Sequence, residues 1–163
     1  MRMDCAGRLG LLIGSAHYTG FKETDMARIR HIALVVKDLE QTADFYEKAF
    51  GLTRSELSEG PTARRIYMSD GEINLALLQY KGETGSGLKD AASFVGIHHF
   101  GFQVDNLKEG QAAVERAGGE FFFDLGKEGE EGFERKFKDP NGIIFDINDD
   151  GWAMTSSKKD KAA

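Results

Sequence analysis

The feature that most restricts what this chain can fold into is an internal echo. Residues 29–36 read IRHIALVV, a β-branched apolar run of strand length. The period then turns helical: Asp38 is placed to cap a helix with Gln41 at its third position, Leu39, Ala43, Tyr46 and Phe50 recur on one stripe, and Gly51 supplies the stop. Residues 54–59, 63–68 and 73–80 follow as strand-like runs, divided by Gly60-Pro61 and by Ser69-Asp70-Gly71. The same order returns at GIHHFGFQV, residues 96–104, with Asn106 as cap, Glu109 at the third helical position, Leu107, Val114 and Ala117 on the stripe, and Gly118-Gly119 as the stop. His31 and His99, Asp38 and Asn106, Leu39 and Leu107, Glu47 and Glu115, and Gly51 and Gly119 are each 68 apart, by subtraction of their positions. Strands at 120–124, 134–138 and 143–147 complete the second unit, the last two joined by the turn Asp139-Pro140-Asn141-Gly142.

One βαβββ unit leaves a sheet face and a helix stripe uncovered, so two such units must pair to close a core. The expected fold is therefore α+β: two tandem βαβββ modules, residues 29–80 and 96–150, joined by a linker at 81–95 and forming a cupped eight-stranded sheet. A chain of 163 residues has room for one such domain. Residues 1–28 precede the pattern, and 151–163 end in SSKKDKAA, so they are expected to be an extension outside the fold and a flexible tail. The apolar patch at 9–13 is too short for a membrane span or a signal-peptide core, which argues against a membrane partner. A net charge of −6 without a basic stripe argues against nucleic acid. The single cysteine, Cys5, leaves no intrachain disulfide and fits a reducing, cytoplasmic setting.

Side chains alternate along a strand, so His31, Ala33 and Val35 share one face of the first strand and Ile32, Leu34 and Val36 the other. In the matching strand His99, Gly101 and Gln103 take the first set of places, and His98, Phe100, Phe102 and Val104 fall on the helix-facing side. A pseudo-twofold relation between modules brings His31 and His99 together inside the cup, as a divalent metal requires. Asp146 interrupts the apolar run IIFDI, and a buried carboxylate is costly unless paired or metal-bound. His31, His99 and Asp146 thus make a 2-His-1-carboxylate set with open positions. The competing readings are hydrogen-bonded structural histidines and an Asp146 that caps a loop or faces solvent; His98 reads as a packing residue, and His17 lies in the extension.

The segments HIALVVKDLEQTADFYEKAFG, GIHHFGFQVDNLKEG and DPNGIIFDI resemble the signature segments of the vicinal-oxygen-chelate superfamily, which includes glyoxalase I, methylmalonyl-CoA epimerase, extradiol dioxygenases and bleomycin-binding proteins. The likeness covers about residues 29–150. It implies that His31, His99 and Asp146 occupy metal-ligand positions, with Asp146 one methylene shorter than the usual glutamate. A fourth ligand common in isomerase and lyase members would fall at Ala76, or at Asn74 in a register shifted by two. Its loss favours a dioxygenase of extradiol type acting on a small substrate with vicinal oxygens, using Fe(II), with Mn, Zn, Ni or Co as other choices. Lys136 stands where ring-cleaving members carry a tyrosine. Lys136 and Gln103 are the candidate catalytic residues, the lysine meeting an anionic substrate from the cup wall and the glutamine orienting it, although the ordinary place of a strand lysine is toward solvent. The alternatives are a glyoxalase- or epimerase-type lyase or isomerase and a metal-free antibiotic-binding protein. Members of the family close the cup within one chain or across a dimer, and edge strands favour self-association, so a homodimer is expected; the linker either closes the mouth of the cup or merely connects the modules.

Overall fold

The computed structural model describes residues 27–83, 86–91, 93–130 and 132–155. The extension up to residue 26, with Cys5 and His17, and the tail beyond 155 lie outside the described residues. The elements run β1 (Arg28–Val35), α1 (Leu39–Phe50), β2 (Thr53–Arg54), β3 (Ser58–Glu59), β4 (Ala63–Ser69), β5 (Asn74–Tyr80), β6 (Gly96–Gln103), α2 (Leu107–Arg116), β7 (Glu120–Leu125), β8 (Glu134–Lys138) and β9 (Ile144–Asn148). The expected caps form. The Asp38 side chain accepts from the Gln41 backbone N–H, and Gly51, at φ 71°, returns its N–H to the Glu47 carbonyl. Asn106 accepts from the backbone of Lys108 and Glu109 at the start of α2.

The strands form one curved sheet in the order β2-β4-β5-β1-β6-β9-β8-β7, with β3 paired to β4. Nine strands stand in place of the expected eight because residues 54–59 split into two short ones. Ser55 is the cause: its backbone N–H donates to the Tyr67 carbonyl, but the Tyr67 N–H donates to the Ser55 hydroxyl, so a side chain replaces a rung of the backbone ladder. The two modules join edge to edge where β1 runs antiparallel to β6, and each module repeats one parallel contact, β1 with β5 and β6 with β9.

The helices cover one face. Leu39 and Ala43 of α1 pack on Ile66, Met68 and Leu77, and Leu107 of α2 packs with Phe133, Phe137 and Ile147. The other face carries an apolar group in the first module, Ala33, Val35, Ala76 and Leu78 with Tyr67, Tyr80 and Phe94, and a polar cluster at the module joint. Among the described residues no helix is long and apolar enough to cross a membrane. Leu77 is fully buried beneath α1, so Leu77→Ala is expected to lower unfolding free energy by about 2–5 kcal/mol, read by denaturant titration.

Candidate metal centre

Register brings the site together. One row of paired residues crosses six strands: Asn74 on β5 opposes His31 on β1, His31 opposes Gly101 on β6, Gly101 opposes Asp146 on β9, Asp146 opposes Lys136 on β8, and Lys136 opposes Phe123 on β7. Paired residues project to the same side of a sheet, so this row faces the concave side. His99 lies two places along β6 from Gly101 and joins it. One ligand atom each from His31, His99 and Asp146 lies within 4.8 Å of the others, with all three residues buried. His31 Nε2 is 3.2 Å from His99 Nε2, which is 3.3 Å from Asp146 Oδ2.

The β1–β6 ladder is not regular. It skips Arg30 on one strand and His98 on the other, two bulges that are themselves 68 apart and directly precede the two histidines. The second bulge corrects the simple alternation that put His98 on the helix side: its Nδ1 lies 2.6 Å from His99 Nδ1, and its ring packs beside Tyr80 and Phe94. The first bulge buries Arg30, which pairs with Glu72.

Hydrogen bonding sets both imidazole tautomers. Asn74 Nδ2 donates to the Ala153 carbonyl at 2.9 Å, which turns Asn74 Oδ1 toward His31 Nδ1 at 2.7 Å. An amide oxygen only accepts, so His31 carries a proton on Nδ1, and in the neutral ring Nε2 is then bare. His98 Nε2 is 2.7 Å from the Ser86 carbonyl and must donate to it. Its Nδ1 then accepts from His99 Nδ1, which leaves His99 Nε2 bare as well. Burial, reinforced by the charge of Lys136 and the ring of His31, holds His99 neutral, well below its ordinary range. Two lone pairs therefore face each other beside a carboxylate. That donor set fits a first-row divalent ion, because nitrogens 3.2 Å apart both reach one ion at about 2.1 Å.

Lys136 is not at the solvent, where a strand lysine ordinarily lies. It is 5% exposed. Its Nζ donates to both Asp146 oxygens at 2.8 Å and to Glu134 Oε2 at 3.0 Å, and lies 3.4 Å from His99 Nε2. Burial opposes its charge, but Glu134 and Asp146 outweigh burial and hold the ammonium above its ordinary range. Gln103 stays half-buried near the end of β6, opposite Arg28, outside the hydrogen-bonded cluster.

Five contributors were not singled out by sequence reasoning for the roles they have. Asn74, considered as a ligand in a shifted register, pairs directly with His31 and orients its ring. Glu134 bridges Lys136 and Trp152, whose Nε1 donates to Glu134 Oε1 at 2.7 Å. Trp152, assigned to the flexible tail, is 7% exposed and stacks on His31 with ring centroids 5.2 Å apart and planes 6° from parallel. Gly101 makes this possible, because a Cβ there would lie 2.5 Å from Trp152 Cζ2 and 3.0 Å from His31 Cβ. The available signal was that the chain's only tryptophan sits in its charged tail. Ser86, in the linker, supplies the carbonyl that sets the His98 tautomer.

The family model described as Glyoxalase/Bleomycin resistance protein/Dioxygenase superfamily matches residues 28–147. The mitochondrial methylmalonyl-CoA epimerase of Homo sapiens is 29% identical over 87 residues, 51% of this chain and 49% of that protein, so the match spans about half the length of this curated relative. Among solved structures, methylmalonyl-CoA epimerase from Mycobacterium tuberculosis superposes with a TM-score of 0.61 at 15% identity, over 88% of this chain and 97% of that one. A methylmalonyl-CoA epimerase in complex with methylmalonyl-CoA and NH4+ gives 0.58 at 21% identity, over 75% and 93%. These structural likenesses establish a shared fold.

Two outcomes are expected from this geometry. Gly101→Ala forces Trp152 off His31, costing about 1–3 kcal/mol and changing the emission of the single tryptophan. In the metal-free chain the unfolded His99 titrates near 6.5 while the folded one refuses the proton. Stability is then full above that pH and falls as pH drops through it, by up to about 1.4 kcal/mol per pH unit. Thermal unfolding between pH 8 and pH 5 checks this, and His99→Asn should make the curve shallower, with His98, which burial also holds below its ordinary range, keeping the rest of the slope.

Proposed function

The chain belongs to the glyoxalase/bleomycin resistance protein/dioxygenase superfamily, and from that premise we propose that it is a divalent-metal-dependent enzyme of the isomerase branch, moving a proton next to the carbonyl of a small acyl substrate. The observation that carries this reading is the convergence of two bare imidazole nitrogens and a buried carboxylate, His31, His99 and Asp146, with a second carboxylate, Glu134, close by. The three-ligand set considered alone favours a ring-cleaving dioxygenase, but Lys136 replaces the tyrosine of that branch and the similar proteins above are epimerases. With oxygen chemistry set aside, Fe(II) loses its advantage over Mn, Co, Ni or Zn.

His31, His99 and Asp146 would hold the ion, with Asn74 and His98 keeping the two rings aimed. When bound, the ion supplies Lewis-acid stabilisation of charge developing on a substrate oxygen. Glu134 is the candidate base, because it lies beside the trio and is held by the Trp152 indole N–H and the Lys136 ammonium. Trp152 and the apolar wall of Ala33, Val35, Ala76 and Leu78 exclude water and receive the acyl body. A cavity of about 350 Å³ lined in part by Val35, Tyr80, Ala91 and Phe94 opens off that wall. Gln103, on the same strand as His99, is our candidate for orienting a polar substrate group. The assembled form we propose is a homodimer, to be read by light scattering.

The test is anaerobic metal analysis of the chain and of His99→Ala, followed by deuterium exchange at the carbon between the two carbonyls of methylmalonyl-CoA. About one ion per chain, lost in the variant, with exchange that falls about 100-fold or more in Glu134→Gln, is expected. Catechol-dependent oxygen uptake without exchange would restore the dioxygenase, and no bound metal after reconstitution would leave a binding protein.

A further inference from the structure

Lys136 neither holds an ion nor orients a ring, and its place is chemically awkward for a metal site. Its Nζ sits 2.8 Å from both oxygens of Asp146 and 3.4 Å from His99 Nε2, the same acceptors that a divalent ion would use. An ammonium bonded to both oxygens of Asp146 and a divalent cation on the same carboxylate repel each other, and in a buried site that repulsion is screened far less than in water. The backbone keeps the lysine within reach of that carboxylate, since Lys136 and Asp146 are direct partners in the β8–β9 ladder. A second acceptor lies within reach on the same strand face: Glu134, two residues away, already takes one of the three N–H donors at 3.0 Å.

We propose that Lys136 is a tethered internal cation that competes with the divalent ion for Asp146. The ammonium neutralises Asp146 in the metal-free chain and turns to Glu134 alone when the ion binds. This rests on the metal reading of the trio. Two properties follow. The metal-free chain is folded and stable without an ion, because Asp146 and Glu134 are both paired. Metal affinity is lower than the same three ligands would give by themselves, because each binding event must first break the two Lys136–Asp146 hydrogen bonds.

The experiment is calorimetric titration of Co(II) and Zn(II) into the metal-free chain and into Lys136→Met, Lys136→Gln and Arg135→Gln, with thermal unfolding of each protein before and after metal addition. The two Lys136 variants should bind metal at least about tenfold more tightly than the parent, unfold at lower temperature without it, and gain more on its addition. Arg135→Gln removes the adjacent positive charge, which pairs with Asp124 and Glu128 on the other side of β8, and should leave the affinity unchanged. Should Lys136→Met not fold without metal, Lys136→Gln keeps an amide donor for Asp146 and carries the comparison. Equal or weaker binding in both Lys136 variants, while the parent binds and His99→Ala does not, overturns the competition and leaves the metal reading standing. No binding by any of the proteins overturns both.

Discussion

Everything in the site depends on one antiparallel contact, the pairing of β1 with β6 at the centre of the sheet. It is the only strand pair that joins the two modules in the sheet order, and the two candidate histidines lie on its two strands. Each strand carries a bulge one residue before its histidine. A regular ladder would have alternated His98 away from His99. The bulge instead turns the two rings toward each other and lets the Ser86 carbonyl decide, through His98, where the His99 proton sits.

Around that joint the protein has placed charges in a buried region. Removing a carboxylate or an ammonium from water costs several kcal/mol per ion, and the cost is met only when each group is fully paired. Asp146, Glu134 and Lys136 satisfy one another, and the Trp152 indole satisfies the remaining oxygen of Glu134. Burial keeps His99 neutral instead, with its Nδ1 hydrogen-bonded to His98 and its Nε2 turned toward His31 and Asp146. Each group is held in place by its neighbours, and that pre-organisation is what a metal centre needs from its protein. The site is also closed by segments outside the repeat: the linker contributes Ser86, and the chain after β9 contributes Trp152 and the Ala153 carbonyl.

Much of this architecture is legible in one dimension. The change from strand to helix period, the Asp38 and Asn106 caps, the Gly51 stop and the 68-residue echo together specify the two modules, because caps and apolar stripes are local interactions between residues a few places apart. The equivalence of His31 with His99 and the oddity of Asp146 within an apolar strand were equally plain, and the fold brings those three together. What tertiary structure alone decided is the second layer. Alternation assigns faces only while a ladder is unbroken, and nothing local announces the bulges at Arg30 and His98. Whether Lys136 faces water or the cup is decided by Asp146, a partner across a strand pair, and by Glu134 and His99 beside it. Trp152 counts for the site only because Gly101, some fifty residues earlier, leaves the space for its ring. Periodicity and capping act along the chain and are written in it, whereas the burial of a charge and the tautomer of a ring depend on neighbours that only the folded sheet supplies.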